Sequence, residues 1–293
     1  MNFFNMIKTI LPWIHSHRCS SLHGIAIGVM ALPLLYGLWL LMRVCLFDYF
    51  TIPSGSMLPT LQIGDKVVVN KLLMGGRIYK DLHFDTEGQE LLSWRLKGLR
   101  SVEYNDICVF NFPHHADKMS FVINNVFCKR CIGLPGDTIW VKDGYYKNNN
   151  YTKILSNLEG QRQMHNTPDS TLMIEGLTGR HCMGWTLKEF GPYYLPRQGE
   201  VTPITTREGQ LYYRLLEWEL GAKITWDLPN GIVYADGQPI DRHTWQHNYY
   251  FMAGDNVCAS NDSRYWGLVP EEYIVGIVSL IIRDGQWLSI ADD

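Results

Sequence analysis

The sequence is poor in charge and in cysteine, and each shortage excludes a class of protein. Only 19% of its 293 residues are charged, and 26 Lys and Arg nearly balance 29 Asp and Glu, for a net charge of -3. This balance leaves no basic stripe, so nucleic acid is not an expected partner. Seven cysteines are too few for a disulfide scaffold. The hydrophobic content of 46% and aromatic content of 13% instead predict an ordered chain with a buried core.

Common catalytic and metal-binding motifs are also missing. Neither the Gly-x-Ser-x-Gly of α/β-hydrolases nor the His-Glu-x-x-His of zinc peptidases occurs. His243 and His247 have the spacing of metal ligands on a helix, but the surrounding sequence does not predict a helix. Cys128 and Cys131 have no second pair, and on a strand their thiols would point to opposite faces. We therefore predict no metal and no cofactor.

One long stretch, residues 24–42, carries no charge at all. A helix rises about 1.5 Å per residue, so roughly 19–24 residues cross most of a hydrocarbon layer of about 30 Å. The apolar core of a removable signal peptide is shorter, about 7–15 residues. We therefore predict a single-pass transmembrane anchor over residues 24–47, preceded by a cytoplasmic or interfacial segment over residues 1–23. Lys8 and Arg18 favour a cytoplasmic N-terminus, which would place the rest of the chain on the periplasmic or extracytoplasmic side.

Beyond the anchor, the pattern is typical of β-structure. Runs of β-branched and aromatic residues predict strands at residues 66–70, 120–132 and 138–142. Three dipeptides predict tight hairpins: Asp143-Gly144, Asn230-Gly231 and Asp236-Gly237. The sequence predicts a mainly β fold, with an antiparallel catalytic domain over residues 48–144 and 246–293. A mostly β subdomain without sustained helical periodicity is expected as an insertion over residues 145–245.

Three short segments, rich in turn residues, carry the candidate chemistry. The first, residues 52–61, places two serines around Gly55, where a substrate backbone could approach closely. The second sets Lys129 in an apolar run that ends at a Pro-Gly turn. Burial can lower the pKa of a lysine by several units from about 10.4, which makes it a usable general base. The third, residues 254–267, is a polar loop with hydroxyls and an Asp/Arg pair that opens onto an apolar strand.

Taken in order, the three segments resemble the type I signal peptidases, the membrane-bound leader peptidases of bacteria. The resemblance rests on Pro-Ser-Gly-Ser-Met-x-Pro-Thr-Leu, Lys-Arg-x-x-Gly-Leu-Pro-Gly-Asp and Gly-Asp-Asn…Ser-x-Asp-Ser-Arg-Tyr-Trp-Gly, and covers about residues 47–75, 120–145 and 250–280. The third segment departs from the usual family pattern, because Val257, Cys258 and Ala259 replace Arg-Asp-Asn. This departure puts the bracing of that loop in question.

The resemblance implies a serine–lysine dyad. Ser56 corresponds to the nucleophile of the family and Lys129 to its general base. The oxyanion hole would consist of the Ser56 backbone N–H and the Ser54 hydroxyl. Because a neutral amine can take the proton of a serine hydroxyl, this chemistry needs no histidine and no metal.

The resemblance also assigns supporting and substrate-binding residues. Ser260 would hydrogen-bond the lysine, and Asp262 with Arg264 would brace the third segment. We expect a substrate groove next to the nucleophile, lined by Phe50, Ile52, Met57, Leu61, Phe127 and Cys128. The substrate would add as an extended strand along residues 50–53 and 126–129.

The implied function is removal of signal peptides from exported preproteins after small-x-small sites, at the cytoplasmic (inner) membrane. Exported preproteins and membrane lipid are then the expected partners. Two alternatives stay open from the sequence. One is a related serine–lysine peptidase dedicated to a few secretion or conjugation substrates. The other is a catalytically inactive relative that binds exported peptides, and its only support is the departure at residues 257–259.

Overall fold

The computed structural model describes residues 21–172 and 175–290. Nearly all of the segment predicted over residues 1–23 therefore lies outside the described residues. The α-helices are α1 (Ser21–Cys45), α2 (Leu158–Asn166), α3 (Arg180–Met183), α4 (Thr206–Leu211), α5 (Tyr213–Leu220) and α6 (Ser263–Trp266). Single turns of 3₁₀ helix lie at Gly55–Met57, Asp169–Thr171 and Glu271–Tyr273.

The β-strands are short and follow one another along most of the chain. In the first half they are β1 (Phe47–Thr51), β2 (Lys66–Asn70), β3 (Arg77–Tyr79), β4 (Ser93–Arg95), β5 (Ile107–Asn111), β6 (His114–His115), β7 (Lys118–Met119), β8 (Val126–Gly133), β9 (Thr138–Lys142) and β10 (Tyr145–Asn148). In the second half they are β11 (Glu189–Tyr194), β12 (Val201–Pro203), β13 (Ile224–Asp227), β14 (Ile232–Ala235), β15 (Gln238–Ile240), β16 (Arg242–Thr244), β17 (Tyr249–Ala253), β18 (Val269–Pro270), β19 (Ile274–Arg283) and β20 (Gln286–Ser289).

Helix α1 occupies most of the segment in which the sequence predicts a transmembrane anchor. A helix is present there, and Pro33 lies inside it. Within the part of the chain that the structure describes, no helix combines the length and apolar character needed to cross a membrane. Part of the predicted anchor, the side chains of residues 24–27, 40 and 44, lies outside the described side chains. The predicted helix is therefore confirmed.

Eight strands form one antiparallel sheet, which confirms the mainly β fold. Their order is β1-β2-β19-β5-β8-β17-β18, and β20 pairs with β19. Strand β2 has the alternation that the sequence predicts, since Val67 and Val69 are fully buried whereas Lys66 is exposed. Predicted strands 66–70 and 138–142 match β2 and β9, but β8 begins six residues after the predicted start at residue 120. Asn124, which has a φ of +64°, interrupts the run in the turn before β8.

The main sheet curls on itself. Three strands separate β1 from β8 in the sheet order, yet the turn after β1 contacts β8. The inner face of the curl holds a compact apolar cluster from several strands, which includes Val67, Val109 and Val278. Curling therefore places the turn after β1 next to β8, and the candidate site lies where the two meet.

Residues 145–245 form small sheets of two and three strands and also four short helices, α2 to α5. The three predicted hairpins are confirmed at the β9–β10, β13–β14 and β14–β15 connections. These helices, which are only four to nine residues long, correct the expectation that the subdomain is mostly β. Local caps start two of them. The Asn157 side chain accepts from Gly160 N, and Thr205 with Glu208 forms a capping box.

Residues 145–245 share a core with the main sheet. One buried cluster unites the aromatic side chains of Phe190 and Trp245 with Phe251 of β17 and with Val257 of the third segment. Movement of this region would therefore disturb the third segment directly.

Candidate active site

The Ser56 hydroxyl and the Lys129 amine lie together at the open end of the curled sheet. Lys129 Nζ lies 2.7 Å from Ser56 Oγ and donates a second hydrogen bond to Cys128 O at 3.0 Å. Ser56 sits in the 3₁₀ turn Gly55–Met57, which follows β1 after three intervening residues, and Lys129 is near the middle of β8. The two residues that the sequence pairs as nucleophile and base are thus in direct contact.

The environment of Lys129 favours its neutral form. The residue is only 4% exposed, and burial lowers the pKa of its amine below the usual value of 10.5. The negative charge of Asp262, and more weakly that of Asp255, opposes this shift without cancelling it. A lysine with a lowered pKa is neutral over a wider pH range, and only the neutral amine can accept a proton from a serine hydroxyl.

Strand pairing explains why the lysine can reach the serine. Residues 126–130 of β8 pair with β5 along one edge, whereas on the other edge β17 pairs with β8 only from Arg130 onward. Within the described part of the chain, no strand lies beside the other edge of residues 126–129. Since Nζ bonds the carbonyl of its own neighbour Cys128, the Lys129 side chain turns along this open edge toward Ser56.

Alternation along β8 also separates the two cysteines that could suggest metal or redox chemistry. Cys131 packs in the cluster that contains Cys108 and Phe110, and Cys128 packs against the inner cluster of the curl that contains Val109. The prediction that the two thiols point to opposite faces is confirmed. This arrangement is incompatible with both thiols binding one metal ion at this strand.

The backbone around the serine is held from the third segment. Asn256 donates from its backbone N to Ser56 O and from Nδ2 to Gly55 O, both at 3.1 Å. Ser54 Oγ lies 3.4 Å from Ser56 Oγ, on the exposed side of the turn. Asn256 is not among the site residues predicted from the sequence, although its place directly after Gly254 and Asp255 in the third segment is a usable signal.

Asp262 and Arg264 form a buried ion pair that braces the third segment. Both side chains are fully buried, and Arg264 Nε and Nη2 each donate to the Asp262 carboxylate at 2.8 Å. Asp262 accepts from Gly254 N at 3.0 Å, and Arg264 Nη2 donates to Val257 O at 2.8 Å. The pair therefore ties the start and the middle of the loop to its end, as a bracing pair must.

Ser260 does not make its expected hydrogen bond. Its hydroxyl is buried and has no hydrogen-bond partner among the described residues, so the predicted bond to Lys129 is absent. The amine instead contacts Ser56 and the Cys128 carbonyl. Ser260 is nevertheless close to the nucleophile turn. A Cβ at Gly254 would lie 2.1 Å from Ser260 Oγ and 2.5 Å from Ser56 O, so only glycine fits between them.

The predicted groove residues are divided by the fold. Three of them, Ile52, Met57 and Leu61, are at most 4% exposed and belong to the core inside the curl. The prediction that these three side chains line an open groove is therefore wrong. The 3₁₀ turn and the curl direct them inward, beneath the site. Phe127 lies on the opposite face of β8 from the inner cluster, and its ring stacks on that of Phe112 with the ring centroids 4.5 Å apart. The remaining two predicted residues, Phe50 and Cys128, are partly buried at the edge of the inner cluster.

A second ion pair, between Arg130 and Asp255, was not singled out from the sequence. Arg130 Nε and Nη2 donate to the two oxygens of the fully buried Asp255 carboxylate at 2.8 Å and 2.7 Å. Thr60 Oγ1 donates to the same carboxylate at 2.5 Å. Because Thr60 follows the nucleophile turn and Arg130 follows Lys129, one carboxylate links all three segments. Both partners stand inside the motifs quoted above, which was the available signal.

A family model described as "Signal peptidase, peptidase S26" matches residues 25–190 and 222–283, which contain all three segments. The chain belongs to the signal peptidase family. It is 29% identical over 263 residues to a signal peptidase I of Buchnera aphidicola, covering 85% of this chain and 70% of the relative. A signal peptidase I of Pseudomonas aeruginosa is 28% identical over 259 residues (85% and 69% covered), and one of Rickettsia bellii is 32% identical over 269 residues (85% and 76%). The family resemblance inferred from the three segments is confirmed, and with it the class of serine endopeptidase.

Proposed function

We propose that this chain removes signal peptides from exported preproteins after small-x-small sites, with Ser56 as nucleophile and Lys129 as general base. The observation that carries the proposal is the 2.7 Å contact between a buried lysine amine and the hydroxyl of a partly exposed serine. Family membership supports the reaction class. An intact dyad contact also favours an enzyme over an inactive relative that only binds peptides.

The reaction would begin with attack of Ser56 Oγ on the scissile carbonyl carbon while neutral Lys129 takes the hydroxyl proton. The developing oxyanion would accept hydrogen bonds from the Ser56 backbone N–H and the Ser54 hydroxyl. Protonated Lys129 would then give its proton to the leaving amine as the C–N bond breaks. A water molecule, activated by the same amine, would hydrolyse the resulting ester and restore Ser56.

The open edge of β8 supports binding of the substrate as an extended strand. Cys131 N donates to Asp106 O, and Asn105 N donates to Cys131 O, so the backbone of Cys131 faces the β5 side. Alternate residues of an antiparallel strand face opposite neighbours, and Cys128 therefore directs its backbone groups to the open edge. Strand β1 is the terminal strand of the sheet, and its second edge also has no partner strand in that sheet. A substrate strand between these edges would pass directly over the dyad.

We also propose a location at the inner membrane, with the site on the extracytoplasmic side. The support is the apolar surface of α1, where Met30 is 75% exposed and Leu34 is 74% exposed. Fractionation would show the protein in the membrane pellet until detergent is added, and protease would reach residues beyond 47 only from the extracytoplasmic face. Recovery in the supernatant without detergent would contradict this location.

The decisive test of the activity uses a preprotein with an Ala-x-Ala site, in detergent, with the wild type and Ser56→Ala. We expect cleavage at that site by the wild type and none by the variant, with the product identified by N-terminal sequencing. The Ser54→Ala variant should lower kcat much more than it raises KM, because its hydroxyl would act only on the oxyanion. If neither folded protein cleaves any preprotein of this kind, the general signal peptidase function is refuted. Cleavage of a few secretion substrates alone would support the dedicated peptidase.

A further inference from the structure

A closed ring of hydrogen bonds joins four residues next to the dyad. Arg130 binds the Asp255 carboxylate through Nε and Nη2, and Ser156 Oγ donates to Asp255 Oδ1 at 3.1 Å. Ser156 N donates to Asn105 Oδ1 at 2.8 Å, and Arg130 Nη1 donates to Asn105 O at 2.8 Å, which completes the ring. Asn105 precedes β5 and Ser156 precedes α2, so neither belongs to the three segments identified from the sequence.

Two members of the ring have a backbone conformation that non-glycine residues rarely adopt. Asn105 has a φ of +69° and Ser156 a φ of +58°. Asparagine tolerates the left-handed region better than most residues, but serine has no such advantage. Such conformations persist where the surroundings over-determine them, and they concentrate at functional sites. The ring supplies these surroundings, since Ser156 is held through both its N–H and its hydroxyl.

Helix α2 packs closely against the third segment next to the ring. A Cβ at Gly160 would lie 2.6 Å from Asp255 O and 3.0 Å from Val257 Cγ2. Val257 is 1% exposed and packs in the core shared with residues 145–245. At the position where the family usually has a polar Arg-Asp-Asn stretch, this chain therefore docks an apolar side chain against α2.

We infer that Ser156 and Asn105 are positioning residues, which act through Arg130 and Asp255 to hold Lys129 against Ser56. Arg130 is adjacent to Lys129 in β8, and Asp255 also holds Thr60, four residues after Ser56. Displacing either ion-pair partner would change the distance between the two dyad atoms. The inference rests on the proposed function for its kinetic consequence, but not for its structural one.

The first test is Ser156→Gly in the full-length protein. Glycine adopts the left-handed conformation without steric cost but lacks the hydroxyl, so the unfolding temperature should stay near that of the wild type. We expect kcat for the Ala-x-Ala preprotein to fall about tenfold with KM changed less than about twofold, because small misplacements of reacting groups cost rate. Asn105→Gly, which removes the acceptor of the Ser156 N–H, should behave alike.

The double variant and a remote control sharpen this test. If both residues act through one ring, Ser156→Gly with Asn105→Gly should lower kcat no further than either change alone. Ala116→Gly is the matched control, because Ala116 also has a positive φ (+49°) but lies in the β6–β7 turn outside the ring. It should leave kcat unchanged. An unchanged kcat in Ser156→Gly, or multiplicative losses in the double variant, would overturn the inference.

A substrate-independent measurement separates failure of this inference from failure of the proposed function. NMR titration of a ¹³Cε-labelled lysine at position 129 reports the pKa of that amine in the wild type and in Ser156→Gly. If the ring holds the buried environment of Lys129 together, its pKa should move upward toward the unburied value in the variant. An unchanged pKa would refute the inference even if the wild type cleaved no preprotein. If the wild type cleaved no preprotein but the pKa of Lys129 rose in Ser156→Gly, only the proposed function would be refuted.

Discussion

The two carboxylate–arginine pairs at the site differ in what they connect. Asp262 and Arg264 stand two residues apart in one loop, and both are fully buried. Asp255 and Arg130 stand 125 residues apart, and the Arg130 side chain remains 14% exposed. The Asp262–Arg264 pair, the local pair, therefore fixes the shape of one loop. The Asp255–Arg130 pair, the long-range pair, fixes the position of the turn that carries Ser56 relative to β8, which carries Lys129. Stability and catalysis should consequently respond differently when each pair is broken.

The largest expected loss of stability comes from the local pair. Asp262→Asn leaves the Arg264 guanidinium buried without a counter-ion and weakens the contact to Gly254 N. Removing one partner of a fully buried pair costs about 3–5 kcal/mol in the free energy of unfolding. Chemical denaturation of the variant and the wild type at the same pH would measure this loss. A cost below about 1 kcal/mol, as for exposed pairs, would contradict the bracing role.

The long-range pair should show the opposite balance. In Asp255→Asn, Arg130 keeps its bond to Asn105 O and partial contact with solvent, so we expect a smaller stability loss of about 1.5–3 kcal/mol. The cleavage rate should fall by at least about tenfold at temperatures where the variant is fully folded, because the amide offers one acceptor oxygen where Thr60 and Arg130 now use both carboxylate oxygens. Measuring kcat and the denaturation midpoint on the same preparation checks this prediction. A rate that falls only in proportion to the unfolded fraction would refute it.

This comparison also shows which features the sequence could predict. The strand and hairpin signals act locally, and β2, β9 and the turn at Asp143-Gly144 were accordingly predicted from neighbouring residues alone. The contact between Ser56 and Lys129 was predicted only through family resemblance, because it depends on the curl of a whole sheet. The same curl buries Met57 and Leu61, which the sequence analysis placed in the groove. Asn105 and Ser156 carry no motif, since their importance comes from backbone conformation and from partners distant in sequence.

The charges of Asp262 and Asp255, one from each pair, both act on the Lys129 amine. Replacing Lys129 should change stability by an intermediate amount, and the change should be a gain. Lys129→Met abolishes the proposed base but keeps an unbranched apolar chain of similar size. Because it removes a buried amine whose charge is disfavoured, we expect a gain of about 1–2 kcal/mol in stability near neutral pH, with no cleavage. Denaturation at neutral pH with a parallel cleavage assay measures both effects.

The pH dependence of that gain is a further check on the same variant. The pKa of Lys129 is lowered in the folded state, so between the folded and unfolded pKa values the unfolded chain binds more protons. The stability contribution of Lys129 in the wild type should therefore rise with pH through this window, and cleavage should rise as the amine loses its proton. The advantage of Lys129→Met should be largest below the folded pKa and should shrink above it. A constant stability difference across this window would show that the amine is not depressed in pKa.

The smallest expected effects come from two hydroxyls, one that bonds Asp255 and one that lies between Asp262 and Arg264 in the chain. Thr60→Val removes the donor to Asp255 with little change in shape, and Ser263→Ala removes the acceptor of Met252 N in the loop braced by Asp262. Each should lower stability by only about 0.5–1.5 kcal/mol, as is usual for one hydrogen bond. Only Thr60→Val should also lower kcat, and Thr60→Ser should restore it, because Thr60 belongs to the segment that carries the nucleophile. Equal kinetic losses in the Thr60 and Ser263 variants would mean that the local pair positions the dyad as much as the long-range pair does, and the distinction between the two pairs would then fail.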